Sequence, residues 1–282
     1  MSLPTFQHEA MATFFEIVIA GQDYDYARHV ATAAWQEIDR LENELSRFIE
    51  SSTISRANRL HRADTLTLTE DAFECLLIAA DVSLATRRAF DPAYASTRPP
   101  DLAPDAPPFT LDPDAHTLTS LTDKLQLDLG AVGKGYALDR VLTVLADWNV
   151  DAALLNAGGS SLLGLGAPNA DFEGWPVGVG EGTGIREIQI AQRSLSASGI
   201  AVKGSHLLNP RTGAPAPRQN RTWAVAPTAA QADALSTAFF VMEESEIAAF
   251  CAEHPSIGAA VTHGDQTLSA YGALRAELTR TS

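Results

Sequence analysis

The stretch Leu127–Val141, LDLGAVGKGYALDRV, gathers residue types that can handle an anion. Leu125, Leu127 and Leu129 alternate with Gln126 and Asp128, which predicts a strand end. The chain then breaks at Gly130, Gly133 and Gly135 and resumes as a helix with Leu138, Val141, Leu142 and Leu145 on one stripe. A strand, a glycine turn and a helix start leave free backbone N–H groups at the positive end of the helix, where phosphate or carboxylate is stabilised. Lys134 adds a full positive charge there, and Asp128 places a carboxylate at the strand's exit. The P-loop pattern does not fit: Asp128 stands where its first glycine belongs, and Gly135 replaces the Ser/Thr after Lys134. The glycine spacing also differs from the dinucleotide fingerprint. On these residues alone, a phosphate site and a plain glycine turn with a solvated lysine are both open.

Three other places carry chemistry. Asp233 and Thr237 lie four apart at the start of a helical run, so both oxygens share one face. Two hard donors so placed suit a divalent cation, and the competing reading makes Asp233 a helix cap. NAGGS (156–160) sets Gly158 and Gly159 after a short apolar strand, either a close backbone approach to a ligand or a tight hairpin. In HLLNPRTG (206–213) an isolated His206 precedes a turn, and Arg211 and His206 are both able to face an anion.

These residues need elements to hold them. Residues 11–20 read as a strand, 27–45 as an amphipathic helix, and 70–88 as a second helix that stops before Pro92. A polar loop at 46–58 offers an N-cap at Ser52 or Thr53. Residues 96–116, rich in proline and aspartate, read as a surface excursion. Short strands are expected at 152–155, 175–179, 187–190, 194–198 and 222–226, the middle three as a meander. Helices from 232 and over 244–253 and strands at 257–262 and 266–271 close the chain.

With 282 residues, 45% of them hydrophobic, the chain can bury a full core. Its formal charge of −15 argues against wrapping nucleic acid, which asks for a basic footprint, while leaving room for one local cationic pocket. Cys75 and Cys251 sit in apolar helical patterns and read as buried structural thiols. No run approaches the roughly 20 apolar residues of a membrane span. MSLPTFQHEA lacks the features of a secretion signal, and no cysteine lies near it to carry lipid, so the expected location is cytoplasmic.

Taken together, the motifs resemble one family, the FAD:protein FMN transferases of ApbE type. The resemblance rests on MAT (11–13), LSRFIESSTISRAN (45–58), AFDPA (89–93), LDLGAVGKGYALD (127–139), NAGGS (156–160), SASG (196–199), HLLNPRTG (206–213) and ADALSTAFFV (232–241). Each is weak or moderate alone; in register along the chain they reinforce one another.

The resemblance implies a single ApbE-like domain over 1–282, an α+β fold of two interleaved lobes with mixed and antiparallel sheets and a flavin-nucleotide cleft between them. It implies FAD as substrate, Mg²⁺ at its pyrophosphate, and transfer of FMN to a Ser or Thr hydroxyl of a target flavoprotein with release of AMP. FAD hydrolysis to FMN and AMP, and FAD binding without turnover, are the alternatives. Carried over by residue, Asp233 and Thr237 would ligate the metal with the Ala131 carbonyl. Met11, Phe48, Ala89, Phe90, Asp91, Asp128, Lys134, Gly158 and Gly159 would contact the nucleotide. His206 would lie at the pyrophosphate as the base for the incoming hydroxyl, and Asp233 and His206 would be the catalytic pair. The chain departs from the family at Ala12 (usually Gly), Ser160 (Asp), Ala197 (Thr) and Asn209 (Asp), and its segment between Phe90 and Leu127 is short.

Overall fold

The computed structural model describes residues 3–199, 208–216, 221–264 and 266–280. The chain opens with β1 (Thr5–Ala10), β2 (Thr13–Ile19), α1 (Tyr24–Leu45), α2 (Thr53–Ala57), β3 (Thr65–Thr67) and α3 (Glu70–Ala85). It continues through β4 (Phe109–Asp112), β5 (Thr117–Ser120), α4 (Gly133–Asp147), β6 (Ala153–Ala157), β7 (Ser161–Leu165), β8 (Trp175–Val179) and β9 (Arg186–Ile190). β10 (Arg193–Gly199), β11 (Arg221–Ala226), α5 (Ala229–Val241), α6 (Glu244–Glu253), β12 (Gly258–Thr262), β13 (Leu268–Gly272) and α7 (Ala273–Arg280) follow.

An antiparallel sheet in the order β1-β2-β6-β7-β10-β11-β12-β13 organises the molecule, so its strands lie in chain order. Between neighbours the chain leaves the sheet and returns. The largest excursion, residues 20–152, carries α1 to α4 and the small β3-β5-β4 sheet; α5 and α6 occupy a later one between β11 and β12. Side-chain alternation explains the two faces. Phe15, Ile17 and Ile19 of β2 pack with Ile38 and Leu41 of α1, whereas Val18 and Leu154 join Trp175, Val179 and Ile190 of the separate β8-β9 pair. Mixed α+β architecture with antiparallel sheets is therefore as expected.

Several local expectations are corrected. Residues 11–20 hold the expected strand, but it starts at Thr13: Met11 and Ala12 form a two-residue hairpin turn at φ +49° and +55°, with an unexpected strand, β1, before it. Positive φ at both central positions matches the right-handed twist of paired strands, and no periodicity signal announces it in Met-Ala. Leu125–Leu129 is not a strand either. Its leucines are buried as their alternation required, but the backbone is held by other groups. Leu127 N–H donates to Asn58 Oδ1 at 2.6 Å, Asn58 Nδ2 donates to Leu127 O at 3.0 Å, and Asp128 N–H donates to Pro92 O at 2.8 Å. The proposed meander divides, β8 and β9 pairing together while β10 joins the main sheet. Ser52 is the N-cap of α2, accepting from Ser55 N–H.

The contact that positions the site is the crossing of α4 and α5. Gly135 stands against the first turn of α5, where an added Cβ would lie 2.1 Å from the Ala229 carbonyl oxygen. One turn further along α4, Asp139 accepts from the N–H groups of Ala229 at 2.7 Å and Ala230 at 2.8 Å. It closes the positive end of α5, beside the N-cap Thr228. Burial pushes the Asp139 carboxyl up to about 6 from its ordinary 3.8, against the two N–H groups that pull it down. Tyr136, on the same helix, sets its hydroxyl 2.8 Å from Asp71 Oδ1 and 2.9 Å from Glu74 Oε2, and Arg40 donates to Asp71 Oδ2 at 2.7 Å. α4 is thus tied to α1, α3 and α5 at once.

Gly135→Ala is expected to cost about 1–3 kcal/mol or more, since backbone rather than a pliant side chain blocks the new methyl. Urea unfolding that matches wild type would show that the two helices do not cross this closely. Asp139 makes a pH-dependent prediction. A carboxyl raised in the folded state contributes stability that is complete below its unfolded value of 3.8 and lost as pH rises through about 6. The shift of about two units corresponds to about 3 kcal/mol. Wild type should therefore gain roughly that much, relative to Asp139→Asn, between pH 7 and pH 4. A constant difference between the two across that range would refute the raised carboxyl.

Candidate functional site

Two cavities meet at the Asp128–Gly130 turn, both of whose named residues line each of them. One, of about 280 Å³, is bounded by Phe90, Asp91, Tyr94, Ala131, Leu208 and Thr237. The other, of about 400 Å³, is bounded by Met11, Glu42, Arg47, Phe48, Gly133 and Lys134. The turn itself is shaped by Asp128, whose Oδ1 accepts from Gly130 N–H at 2.9 Å while Oδ2 lies 3.3 Å from Arg47 Nε. Arg47 in turn lies over the Phe48 ring at 4.4 Å. Phe48 is 80% exposed. An aromatic side chain left so open beside a cavity is a stacking surface.

Behind the turn lies Asp233, 2% exposed on a helix that is buried almost all round. It is not the helix cap; that place belongs to Thr228, five residues earlier. A carboxylate this deep needs a cation or several donors. Lys134 supplies the charge, its Nζ 3.1 Å from Oδ2 and 3.5 Å from Oδ1. Gly135 N–H adds a long contact of 3.4 Å to Oδ2, so the start of α4 also faces the carboxylate. The same ammonium donates to the Gly130 carbonyl at 3.0 Å. Lys134 is therefore not a solvated lysine on a glycine turn. It links the turn to the buried acid.

Thr237, one turn along α5 from Asp233, has Oγ1 3.1 Å from Ser198 Oγ, which also lies 2.9 Å from Ser236 Oγ. Thr237 shares the smaller cavity with Ala131, as a joint role requires. A divalent cation fits this donor set on one observation: the Lys134 ammonium already spans the Asp233 carboxylate and a backbone carbonyl, hard oxygens of the kind Mg²⁺ takes. Among the described residues no group of three or more His, Cys, Asp or Glu side chains is placed to hold a metal. A site here would rest on one carboxylate with neutral oxygens.

Other expected residues have different standing. Ala89 and Phe90 are buried and border the smaller cavity. Asp91 borders it too, but its carboxylate is spent. Oδ2 accepts from Arg88 Nε at 2.9 Å and Nη2 at 2.6 Å, and Oδ1 from Ala93 N–H at 2.8 Å. Gly158 and Gly159, at φ +63° and +64°, make the β6–β7 hairpin turn and border neither cavity. Arg211 borders neither cavity and is engaged within the protein: it donates to the carbonyls of Thr86 at 2.6 Å and Arg87 at 2.8 Å and to the Glu246 carboxylate at 2.9 Å. His206 lies outside the described residues.

The structure adds residues that sequence reasoning passed over. Tyr94, 47% exposed, and Leu208 line the smaller cavity with Thr237, and Arg47 and Glu42 line the larger one. Tyr94 lies two residues beyond Pro92, and its distance from any periodic segment hid it. Arg47 was readable only as the residue next to Phe48. The two cysteines are buried as expected, and burial pushes both thiols up, with Asp233, Asp71 and Asp139 adding to the effect at Cys75.

Comparison with known proteins adds the following. The model of the ApbE family matches residues 11–99 and 102–261. A FAD:protein FMN transferase of Treponema pallidum (strain Nichols) is 30% identical over 176 residues, 55% of this chain and 48% of that protein. Here the match spans about half the relative's length. A second, from Klebsiella pneumoniae (strain 342), is 23% identical over 274 residues, covering 83% of this chain and 77% of its own. The flavin transferase ApbE from Vibrio cholerae superposes with a TM-score of 0.81 at 18% identity, over 99% of this chain and 98% of that one. At that identity the likeness speaks for the fold.

Proposed function

This chain belongs to the ApbE family, and we propose that it transfers FMN from FAD to a Ser or Thr hydroxyl of a target flavoprotein, with AMP as the leaving group. The observation that carries the reading is that Lys134, on the wall of one cavity, pairs with the buried Asp233 and donates to Gly130 at the turn both cavities share, while Thr237 and Ala131 line the other cavity. A dinucleotide has two flat rings joined by an anionic bridge. Two adjoining cavities with Phe90 and Tyr94 in one and Phe48 and Lys134 in the other match that outline.

In the reaction the acceptor hydroxyl oxygen forms a bond to the phosphorus of the FMN half. The phosphoanhydride bond to AMP breaks, and the hydroxyl proton passes to a base. Lys134 and the N–H groups at the start of α4 meet the charge of the bridging phosphates. Asp233, Thr237 and the Ala131 carbonyl would hold a Mg²⁺ ion, whose charge would offset the negative charge that otherwise repels the attacking oxygen. Without a metal ion, Lys134 alone would have to meet both the Asp233 carboxylate and the pyrophosphate. The family resemblance gives the base to His206, an imidazole whose ordinary titration near 6.5 suits proton removal at neutral pH.

The test is Asp233→Asn, which keeps the shape and removes the charge. Incubated with FAD, Mg²⁺ and a panel of acceptor proteins, wild type should add the mass of FMN to one of them and release AMP. Asp233→Asn should lower that rate by roughly 10²–10⁴-fold, the several kcal/mol a metal ion supplies to a phosphoryl transition state. AMP release with free FMN and no flavinylated acceptor would replace transfer by hydrolysis. Binding of FAD with no AMP from either protein would leave a flavin-binding function alone.

A further inference from the structure

The following inference deepens the proposed reading of Asp233 as a metal carboxylate and rests on it. Asp233 borders neither cavity, whereas Lys134, with its side chain 14% exposed, borders the larger one. The ammonium thus stands between the buried carboxylate and that cavity. Among the described residues its hydrogen-bond partners are the two Asp233 oxygens and the Gly130 carbonyl, so it occupies lone pairs that a hard cation would take. A divalent ion on the same carboxylate would stand within a few ångströms of the ammonium, and two cations that close repel strongly in a site sheltered from water. On the cavity side, Asp128 already gives Oδ1 to Gly130 N–H and Oδ2 to Arg47, so it is a poor new partner for a displaced lysine. An incoming phosphate is a better one.

We propose that Lys134 is a displaceable internal counter-ion: it keeps Asp233 neutralised until a divalent cation takes the carboxylate, and then turns into the larger cavity to meet the nucleotide's phosphates. The lysine that guards the acid becomes the lysine that binds the anion. Metal and nucleotide are then coupled, because the anion gives the released ammonium its new partner and, by linkage, each ligand raises affinity for the other.

The chain holds three lysines, Lys124, Lys134 and Lys203, so its ammonium groups can be followed one by one in ¹⁵N NMR. In wild-type protein without nucleotide, saturating Mg²⁺ should shift or broaden the Lys134 signal and leave the other two in place. The signal is identified by its loss in Lys134→Met or, if that variant does not fold, by elimination with Lys124→Arg and Lys203→Arg. In parallel, Mn²⁺ affinity measured by EPR of the free ion should be at least tenfold tighter in Lys134→Met or Lys134→Gln than in wild type, while Lys134→Arg stays weak. An unmoved Lys134 signal with the metal bound overturns the proposal, as does an affinity unchanged or weakened by removing the lysine. Either result leaves the metal reading standing as long as Asp233→Asn abolishes Mn²⁺ binding. Equal Mn²⁺ binding by wild type and Asp233→Asn, or none by wild type, overturns the metal reading itself and the counter-ion role with it.

Discussion

Two helices that touch backbone to backbone set the distance on which this site depends. At Gly135 there is no side chain, so the first turn of α5 can lie against α4. Lys134 is the neighbouring residue on α4, and Asp233 lies one turn into α5, so the crossing point fixes how far apart the ammonium and carboxylate stand. Asp139, one turn beyond Gly135, then holds the end of α5 by its two N–H groups. An added methyl at the crossing or a lost cap would act on the same quantity, the reach from Lys134 to Asp233. α5 is itself rich in alanine, and Ser198 of β10 meets its Ser236 and Thr237. Small residues let the helix sit low. Close approach on both sides is what buries Asp233.

That burial has an electrostatic consequence. The chain carries an excess of acid, yet the cleft gathers Arg47 and Lys134, each paired to one carboxylate. A pair exposed to water contributes little, roughly 0–1 kcal/mol, whereas a partner removed from a buried pair leaves an uncompensated charge costing about 3–5 kcal/mol. The two cleft pairs fall on opposite sides of that divide. Arg47–Asp128 is the more open of the two and contributes little by itself. Lys134–Asp233 is enclosed, and only another cation can take the lysine's place without that cost. A buried acid whose charge is met by an enclosed lysine differs in this from an acidic surface cluster.

Much of this was legible in the residues, and what was not has physical reasons. The helix over α1 was read nearly to its ends because Val30, Ala34, Ile38 and Leu41 keep the spacing of one buried face. The motif around Lys134 announced a glycine turn into a helix, and it is one. Alternation of Leu125, Leu127 and Leu129 correctly reported burial and wrongly reported a strand, because alternation records which side chains point inward and not who satisfies the backbone. Here Asn58 and Pro92 do that, from far along the chain. Asp233 with Thr237 was readable as a pair; that Lys134 neutralises it was not, since 99 residues separate them. Contacts between helices that cross are set by the sheet order, which local pattern does not contain.

The departures from the family pattern also take on meaning in three dimensions, because each falls at a turn or strand position. Asn209 Oδ1 accepts from Arg211 N–H at 2.9 Å, and the Asn209 carbonyl accepts from Gly213 N–H at 2.8 Å, so the side chain shapes a turn. An amide oxygen does that as a carboxylate would. Ser160 closes the β6–β7 hairpin through its hydroxyl, 3.3 Å from the Ala157 carbonyl oxygen. Ala197 points to the β8-β9 side of the sheet, away from Ser198 and the cleft. Ala12 is different. At φ +55° it adopts the left-handed conformation that glycine takes freely and alanine takes at about 1–2 kcal/mol. It does so beside Met11 on the wall of the larger cavity, where the hairpin turn must keep its shape. Asn209, Ser160 and Ala197 thus sit in ordinary turn or strand settings, Ala12 carries the positive φ, and none of the four touches the contacts that join Lys134 to Asp233 or Thr237 to Ser198.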